Sequence, residues 1–219
     1  MVMKIHYISE KNSILNHFLA QLRDVNIQKD SMRFRKNIER IGEIMAYELS
    51  KILPYKDISI QTPLGIKQTT CLKDNVVLCS ILRAGLALHT GFMNFFDDAE
   101  NGFVSAYRKH AKPGEVGEIL VEYQAAPSFQ DKTLILVDPM LATGQSLVAV
   151  INKLMAEDTP KEMHIAVVIA APEGIAFLKQ NLPDYIHLWV ATLDDCLNEN
   201  NYIVPGLGDA GDLAYGQKL

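Results

Sequence analysis

The 219-residue chain is predicted to be α/β, with a mostly parallel sheet, helices on both faces and a small flap and hairpin region. Three observations predict this. Short continuous apolar runs, among them Val76 to Ile81, Thr133 to Val137 and His164 to Ala170, have the texture of strands buried on both faces. Segments with apolar residues at helical spacing alternate with these runs, the pattern of strand–helix–strand units. Arg83, Arg108 and Asp138 then fall just beyond the carboxyl ends of strands, the edge where open parallel sheets bind ligands.

In chain order, a short strand is expected near Lys4 to Ile8, followed by a helix carrying Ile14, Leu15, Phe18, Leu19 and Leu22 and ending near Asn26. A second helix begins at Asp30 or Ser31, both good caps, and presents Phe34, Ile38, Ile41, Met45 and Leu49 on one face before Pro54 stops it. Its basic residues read as a solvated face, with Arg35 and Glu39 spaced as an i,i+4 pair. Ile58 to Ile60, the turn TPLG and Ile66 to Thr70 suggest a hairpin. After the Val76 strand come a helix over Leu86 to Phe96 and strands over Gly102 to Tyr107 and Glu118 to Tyr123, with the polar HAKPGEVGE between them as a flap. Strands at Thr133 to Val137, His164 to Ala170 and Ile186 to Val190 are separated by helices at Ser146 to Glu157 and Glu173 to Asn181. The glycine-rich Asn201 to Gly216 reads as a loop packed on the body through Ile203, Val204 and Leu207.

Composition narrows the function classes. With 48% hydrophobic and 21% charged residues, one domain over residues 1–219 is expected. No apolar run approaches the roughly 20 residues of a membrane span, and the start MVMKIHYISEKNS lacks the apolar core of a secretory signal, so a cytoplasmic location is expected. A net charge of −5 argues against a general binder of nucleic acid or anionic membrane, so an anionic substrate needs local cations or a metal ion. Cys71, Cys79 and Cys196 lack zinc-type spacing and are expected to be reduced, mostly buried thiols.

The stretch TLILVDPMLATGQSL, Thr133 to Leu147, carries the chemistry. Neither GxGxxG nor GxxxxGK[ST] occurs, which removes the main support for dinucleotide binding and P-loop hydrolysis. What remains is an acid at a strand end followed by ATGQS. There the N–H groups of Thr143 to Ser146, with the Thr143 and Ser146 hydroxyls, can wrap a terminal phosphate. The Asp138 carboxylate can accept from two neighbouring sugar hydroxyls, giving a ribose-5-phosphate clamp. The bland alternative, a turn at Asp138-Pro139 with Ser146 as a helix cap, carries equal weight at this point.

DPMLATGQS resembles the phosphoribosyl-pyrophosphate (PRPP) loop of type I phosphoribosyltransferases, in the wording of the uracil phosphoribosyltransferase family. Four further segments are similar to that family: SMRFRKNIERIGEIMAYE from Ser31, ILRAGLAL from Ile81, AAPEGIAFL from Ala170 and NYIVPGLGDAGD from Asn201. The resemblance implies transfer of the phosphoribosyl group from PRPP to uracil, giving UMP and pyrophosphate, with Mg²⁺ held mainly by PRPP. It implies that Arg83 binds the pyrophosphate and that Arg108 is a second PRPP contact. It implies that Asp138, Pro139, Met140, Leu141, Ala142, Thr143, Gly144, Gln145 and Ser146 form the ribose-phosphate loop. Ile203, Gly208, Asp209 and Ala210 match the uracil site, Asp209 also matches a PRPP contact, and Arg83, Asp138 and Asp209 are the implied catalytic set. A homodimer or larger assembly is implied, and GTP activates some members. Gln145 stands where the family usually has a second glycine. If Gln145 is the first helical residue its N–H stays available, and if the position needs φ > 0 it weakens the cradle. A regulator, or a PRPP or UMP sensor with little catalysis, is the alternative reading.

Overall fold

The computed structural model describes residues 3–108 and 119–218, apart from the Arg108 side chain. The expected flap residues 110–118 lie outside the described residues. In chain order the elements are β1 (Lys4–Tyr7), α1 (Ile14–Arg23), α2 (Ser31–Ser50), β2 (Tyr55–Thr62), β3 (Gly65–Leu72), β4 (Val76–Leu82), α3 (Leu86–Met93), β5 (Glu100–Arg108) and β6 (Ile119–Ala125). There follow β7 (Thr133–Val137), β8 (Met140–Leu141), α4 (Gln145–Glu157), β9 (Glu162–Ala170), α5 (Pro172–Asn181), β10 (His187–Leu193), β11 (Cys196–Leu197), β12 (Ile203–Val204) and α6 (Ala210–Tyr215).

The main sheet runs β1-β10-β9-β7-β4-β5-β6, with β8 added to the end of β9. Its pairs are parallel except β5 with β6, which close as an antiparallel edge. The continuous apolar runs occupy the middle, where both faces are covered. Val76 and Leu78 pack with α1, α2, α3 and α6, while Val77, Cys79 and Ile81 pack with α4 and α5. The period-two alternation of a strand thus feeds two cores at once.

Helix boundaries follow the capping chemistry. Asp30 is the N-cap of α2 and accepts from the Arg33 N–H, and Phe34, Ile38, Ile41, Met45 and Leu49 are all buried. Helix α3 stops at Met93, short of Phe96, though Phe92 and Phe96 are both buried. The hairpin β2–β3 stands as its own two-stranded sheet.

Three expectations are corrected. Cys71 and Cys196 are exposed and only Cys79 is buried, because Cys71 lies on the separate hairpin and Cys196 on the short β11 rather than in the double-covered sheet. Arg35 donates to the Ala214 carbonyl at 2.6 Å while Glu39 takes Lys36, so the basic face of α2 partly serves to hold α6. Val204 is exposed, whereas Ile203 and Leu207 are buried as expected.

At the amino end of the sheet, His164 and His187 are neighbours in register on β9 and β10, and His6 stacks on Trp189. The Trp189 indole N–H donates to His164 Nδ1 at 3.2 Å. Burial, with His187 and His6 nearby, pushes His164 down to about 3 from 6.5. The unfolded chain therefore takes up a proton between these values that the folded chain refuses, so this site removes stability as pH falls below 6.5 and has no effect above it. Urea midpoints should fall as pH is lowered from 7 to 5, and His164→Gln should flatten that slope by up to about 1.4 kcal/mol per pH unit. An unchanged slope in the variant would show that His164 is not the group responsible.

Candidate active site

The strand order reverses direction about β4. From β4 the chain passes through α3 to β5 on one side, while β7 lies on the other and leads through α4 to β9. A crevice at the carboxyl ends of the strands flanking such a switch is the usual ligand position in open α/β sheets. Arg83 follows β4 directly, and Asp138 follows β7 directly.

Arg83 comes after a cis Leu82–Arg83 peptide. Its Nη2 donates to Asp212 Oδ1 at 2.6 Å. Its Nε is buried and finds no hydrogen-bond partner among the described residues. A buried guanidinium N–H without an acceptor is costly, and an anion in the crevice would satisfy it.

Asp138 is held by its own backbone, whose N–H donates to Ala166 of β9 at 3.1 Å. Desolvation pushes its carboxyl up to about 7, against a small opposing effect of the Met140 N–H, which reaches Oδ1 at 3.5 Å. The segment after it is stitched to the end of β9. The Pro139 carbonyl accepts from Val168 and Ile169, Met140 and Leu141 form β8 against Ile169 and Ala170, and the Leu141 carbonyl accepts from Ala171.

Gly144 then turns the chain with φ +78°, and Gln145 begins α4. Its backbone is outside the positive-φ region and it is the first helical residue, with its N–H directed at the Thr143 Oγ1 at 3.5 Å. The N-cap Gly144 offers no side-chain cap, and the nearest substitute is that Thr143 hydroxyl. The first-turn N–H groups of a helix lack intrahelical acceptors, so this end presents donors and the positive pole of the dipole to the crevice. Gly174 in the first turn of α5 allows the loop to sit down closely, since a Cβ there would lie 2.2 Å from the Ala142 carbonyl oxygen.

Two adjoining cavities result. One, of about 190 Å³, is lined by Arg83, Asp138, Met140, Ser146 and Asp209, together with Ala84, Ala106, Gly211 and Lys218. The other, of about 110 Å³, is lined by Asp138, Met140, Leu141, Ala142, Thr143, Gly144 and Ser146. They share Asp138, Met140 and Ser146. The larger cavity of about 550 Å³ beside His6 and Trp189 lies on other elements and touches none of these residues.

Not every expected residue reaches the crevice. Pro139 and Gln145 line neither cavity; Pro139, having no N–H and a carbonyl already engaged by β9, shapes the loop. Ile203 and Ala210 are buried in the core, Gly208 is exposed with φ +89°, and these three line neither cavity. Asp209 does reach it, and also caps α6 by accepting from the Asp212 N–H at 2.9 Å. Arg108 closes β5.

Other groups were missed in the sequence because they are brought in from far away. Asp194 is buried, accepts from both Nη atoms of Arg23, and accepts from the Gly206 N–H at 2.8 Å. Gln28 Nε2 donates to the Leu207 carbonyl at 3.2 Å, so α1 and the turn after it clamp the C-terminal segment. Glu173 accepts from the Leu197 N–H at 2.9 Å, joining α5 to β11, which pairs with β12. Asp212 had a signal in the quoted GDAGD, whereas Lys218 had none.

The model of the family described as uracil phosphoribosyltransferase matches residues 8–217. The chain belongs to this family. A uracil phosphoribosyltransferase of Porphyromonas gingivalis is 48% identical over 217 residues, covering 99% of this chain and 100% of the relative. One from Thermococcus gammatolerans is 39% identical, covering 97% and 94%. A solved structure of an Aquifex aeolicus protein superposes with a TM-score of 0.86 at 28% identity, covering 97% and 98% of the two chains. The sheet order described above is therefore the fold of this family, parallel in its body with helices on both faces.

Gly174→Ala tests the seating of the loop. The added methyl meets the Ala142 carbonyl, and overpacking of this kind costs about 1–3 kcal/mol, partly offset by the roughly 1 kcal/mol gain in helix propensity. A net loss in urea-unfolding stability, with weakened binding of phosphate-bearing ligands, is expected. A variant as stable as the parent would mean that the loop can lift from α5 freely.

Proposed function

We propose that this family member transfers the 5-phosphoribosyl group of PRPP to N1 of uracil, yielding UMP and pyrophosphate. The observation that carries the reading is the convergence of three groups on adjoining cavities: the N-terminal turn of α4 behind Gly144, the desolvated Asp138 and the unsatisfied Nε of Arg83. They suit, respectively, a 5-phosphate, a ribose diol and a pyrophosphate.

In this reading the N–H groups of residues 143–146, with the Thr143 and Ser146 hydroxyls, hold the 5-phosphate. Asp138 accepts from the two ribose hydroxyls and Arg83 donates to the pyrophosphate. Asp209 lies across the crevice on the PRPP side, and Arg108 is assigned to PRPP on its sequence match. Backbone groups at Ile203, Gly208 and Ala210, which line neither cavity, are assigned to the edge of uracil on their sequence match, where a pattern of donors and acceptors would fix the base. N1 forms its bond to C1 of the sugar as the C1–O bond to pyrophosphate breaks, and the N1 proton is released. The chain contributes alignment of the two substrates and stabilisation of leaving charge by Arg83.

Magnesium fits as part of the PRPP substrate. Among the described residues no group of three or more His, Cys, Asp or Glu could hold a metal ion, while the Asp138 and Asp209 carboxylates line the crevice that a substrate-borne ion would enter. The chemistry it supplies is neutralisation of the pyrophosphate.

The purified protein incubated with PRPP, Mg²⁺ and each of uracil, cytosine, hypoxanthine and orotate should form nucleotide with uracil. A backbone site set for uracil leaves the cytosine amino group facing the wrong partner, so discrimination of roughly 10⁴ is expected. Absence of UMP would defeat the proposal.

Asp138 gives a second test. Its acid lies near 7 in the free protein, so PRPP affinity should strengthen as pH rises through 7, where the carboxylate becomes available to both hydroxyls. Its raised value means the folded state holds a proton that the unfolded state has lost, so the same group lowers stability as pH rises from about 4 to 7. Asp138→Asn should therefore be more stable than the parent at pH 8. It should also lose the pH-dependent part of PRPP binding, at about 1.5–3 kcal/mol per charged hydrogen bond removed. Unchanged PRPP affinity and turnover would sink the ribose-clamp assignment.

A further inference from the structure

The C-terminal segment does more than border the crevice. Asp212, in the first turn of α6, is the hydrogen-bonding partner of the Arg83 guanidinium among the described residues, accepting from Nη2 at Oδ1 at 2.6 Å, with the two side chains 30% and 33% exposed. Asp209 fixes the start of the same turn by accepting from the Asp212 N–H. Between them Gly211 leaves the Arg83 Nε close by, since a Cβ at that glycine would stand 3.7 Å from it and 3.2 Å from Asp209 Oδ1. The segment that holds Asp212 is itself anchored at Gly206 and Leu207 by Asp194, Arg23 and Gln28.

We propose that Asp212 is a positioning residue that couples base binding to pyrophosphate binding by holding Arg83 from the base-side segment. The inference rests on Arg83 being the pyrophosphate-binding arginine. Arginine has five donors in a rigid fork, so one edge can stay on Asp212 while Nε is offered to an anion. A carboxylate on Nη2 fixes the rotamer that aims Nε. Because Asp212 sits within ten residues of Ile203, Gly208 and Ala210, any ordering of that segment by uracil also orders Asp212 and hence Arg83. Linkage then requires the reverse, that an anion on Arg83 strengthens uracil binding by the same factor.

Uracil with magnesium pyrophosphate is a dead-end pair, since no sugar is present to react, so both can be titrated at equilibrium by calorimetry. In the parent protein, saturating uracil should tighten pyrophosphate binding at least fivefold, and pyrophosphate should tighten uracil by the same ratio. In Asp212→Asn, which keeps the shape but not the charge, the ratio should fall towards one at an unchanged melting temperature. Asp212→Glu should restore part of it. A parent ratio of one, or a parent-like ratio in Asp212→Asn, overturns the proposal. Arg83→Ala separates the two readings: if it binds pyrophosphate as the parent does, the assignment of Arg83 itself is wrong, whatever Asp212 does.

Discussion

The backbone donors at the start of α4 set the terms for the rest of the site. A helix start without strong acceptors is unfavourable, and here Gly144 at the N-cap supplies no side chain while the Thr143 Oγ1 meets the Gln145 N–H only at 3.5 Å. The surrounding structure keeps these donors turned to the crevice. Gly144 takes the left-handed turn into the helix, Gly174 removes the obstruction from α5, and β8 ties the preceding residues to the edge of β9. In the proposed function a phosphate would complete the arrangement with the fold already in place, so little ordering has to accompany its binding.

The electrostatics are correspondingly local. A chain of net charge −5 attracts anions only where fixed donors outweigh its average. Arg83 supplies full charge and α4 supplies partial charge. Asp138, desolvated beneath them, is poised between its two protonation states. Neither Arg83 nor Asp138 is in its most comfortable state in the free protein, Arg83 for want of an acceptor at Nε and Asp138 for want of solvent. Ligand binding sites characteristically hold such costs, which the ligand relieves.

The strands and most helices were legible because burial on both faces writes an unmistakable run of Val, Ile and Leu, as in β4, β7 and β9, and because Asp30 writes a cap before α2. The position of the loop after β7 was legible as well, since Asp138 to Ser146 is contiguous. What could not be read depends on contacts across the chain. Asp194 and Arg23 are 171 residues apart and meet only once β10 has paired with β1, the strand that leads into α1. Arg35 has a helical neighbour of opposite charge at the right spacing, yet tertiary packing offers it the Ala214 carbonyl instead. Exposure of Cys71 and Cys196 likewise follows from sheet membership, which no local pattern encodes. The residues matched to a uracil site by sequence lie between these extremes. Their sequence match is narrow, but buried Ile203 and Ala210 can offer a ligand little beyond backbone.

The first turn of α5 touches both halves of the site. Gly174 bears on the loop at Ala142, and Glu173, one residue earlier, holds the N–H of Leu197 beside β12. The helix therefore acts as a gauge block between the loop at Ala142 and the C-terminal segment. The gap between those two surfaces is set by one rigid turn rather than by the slack of two loops, so in the proposed function α5 would fix the distance between the phosphate end and the base end of what is bound.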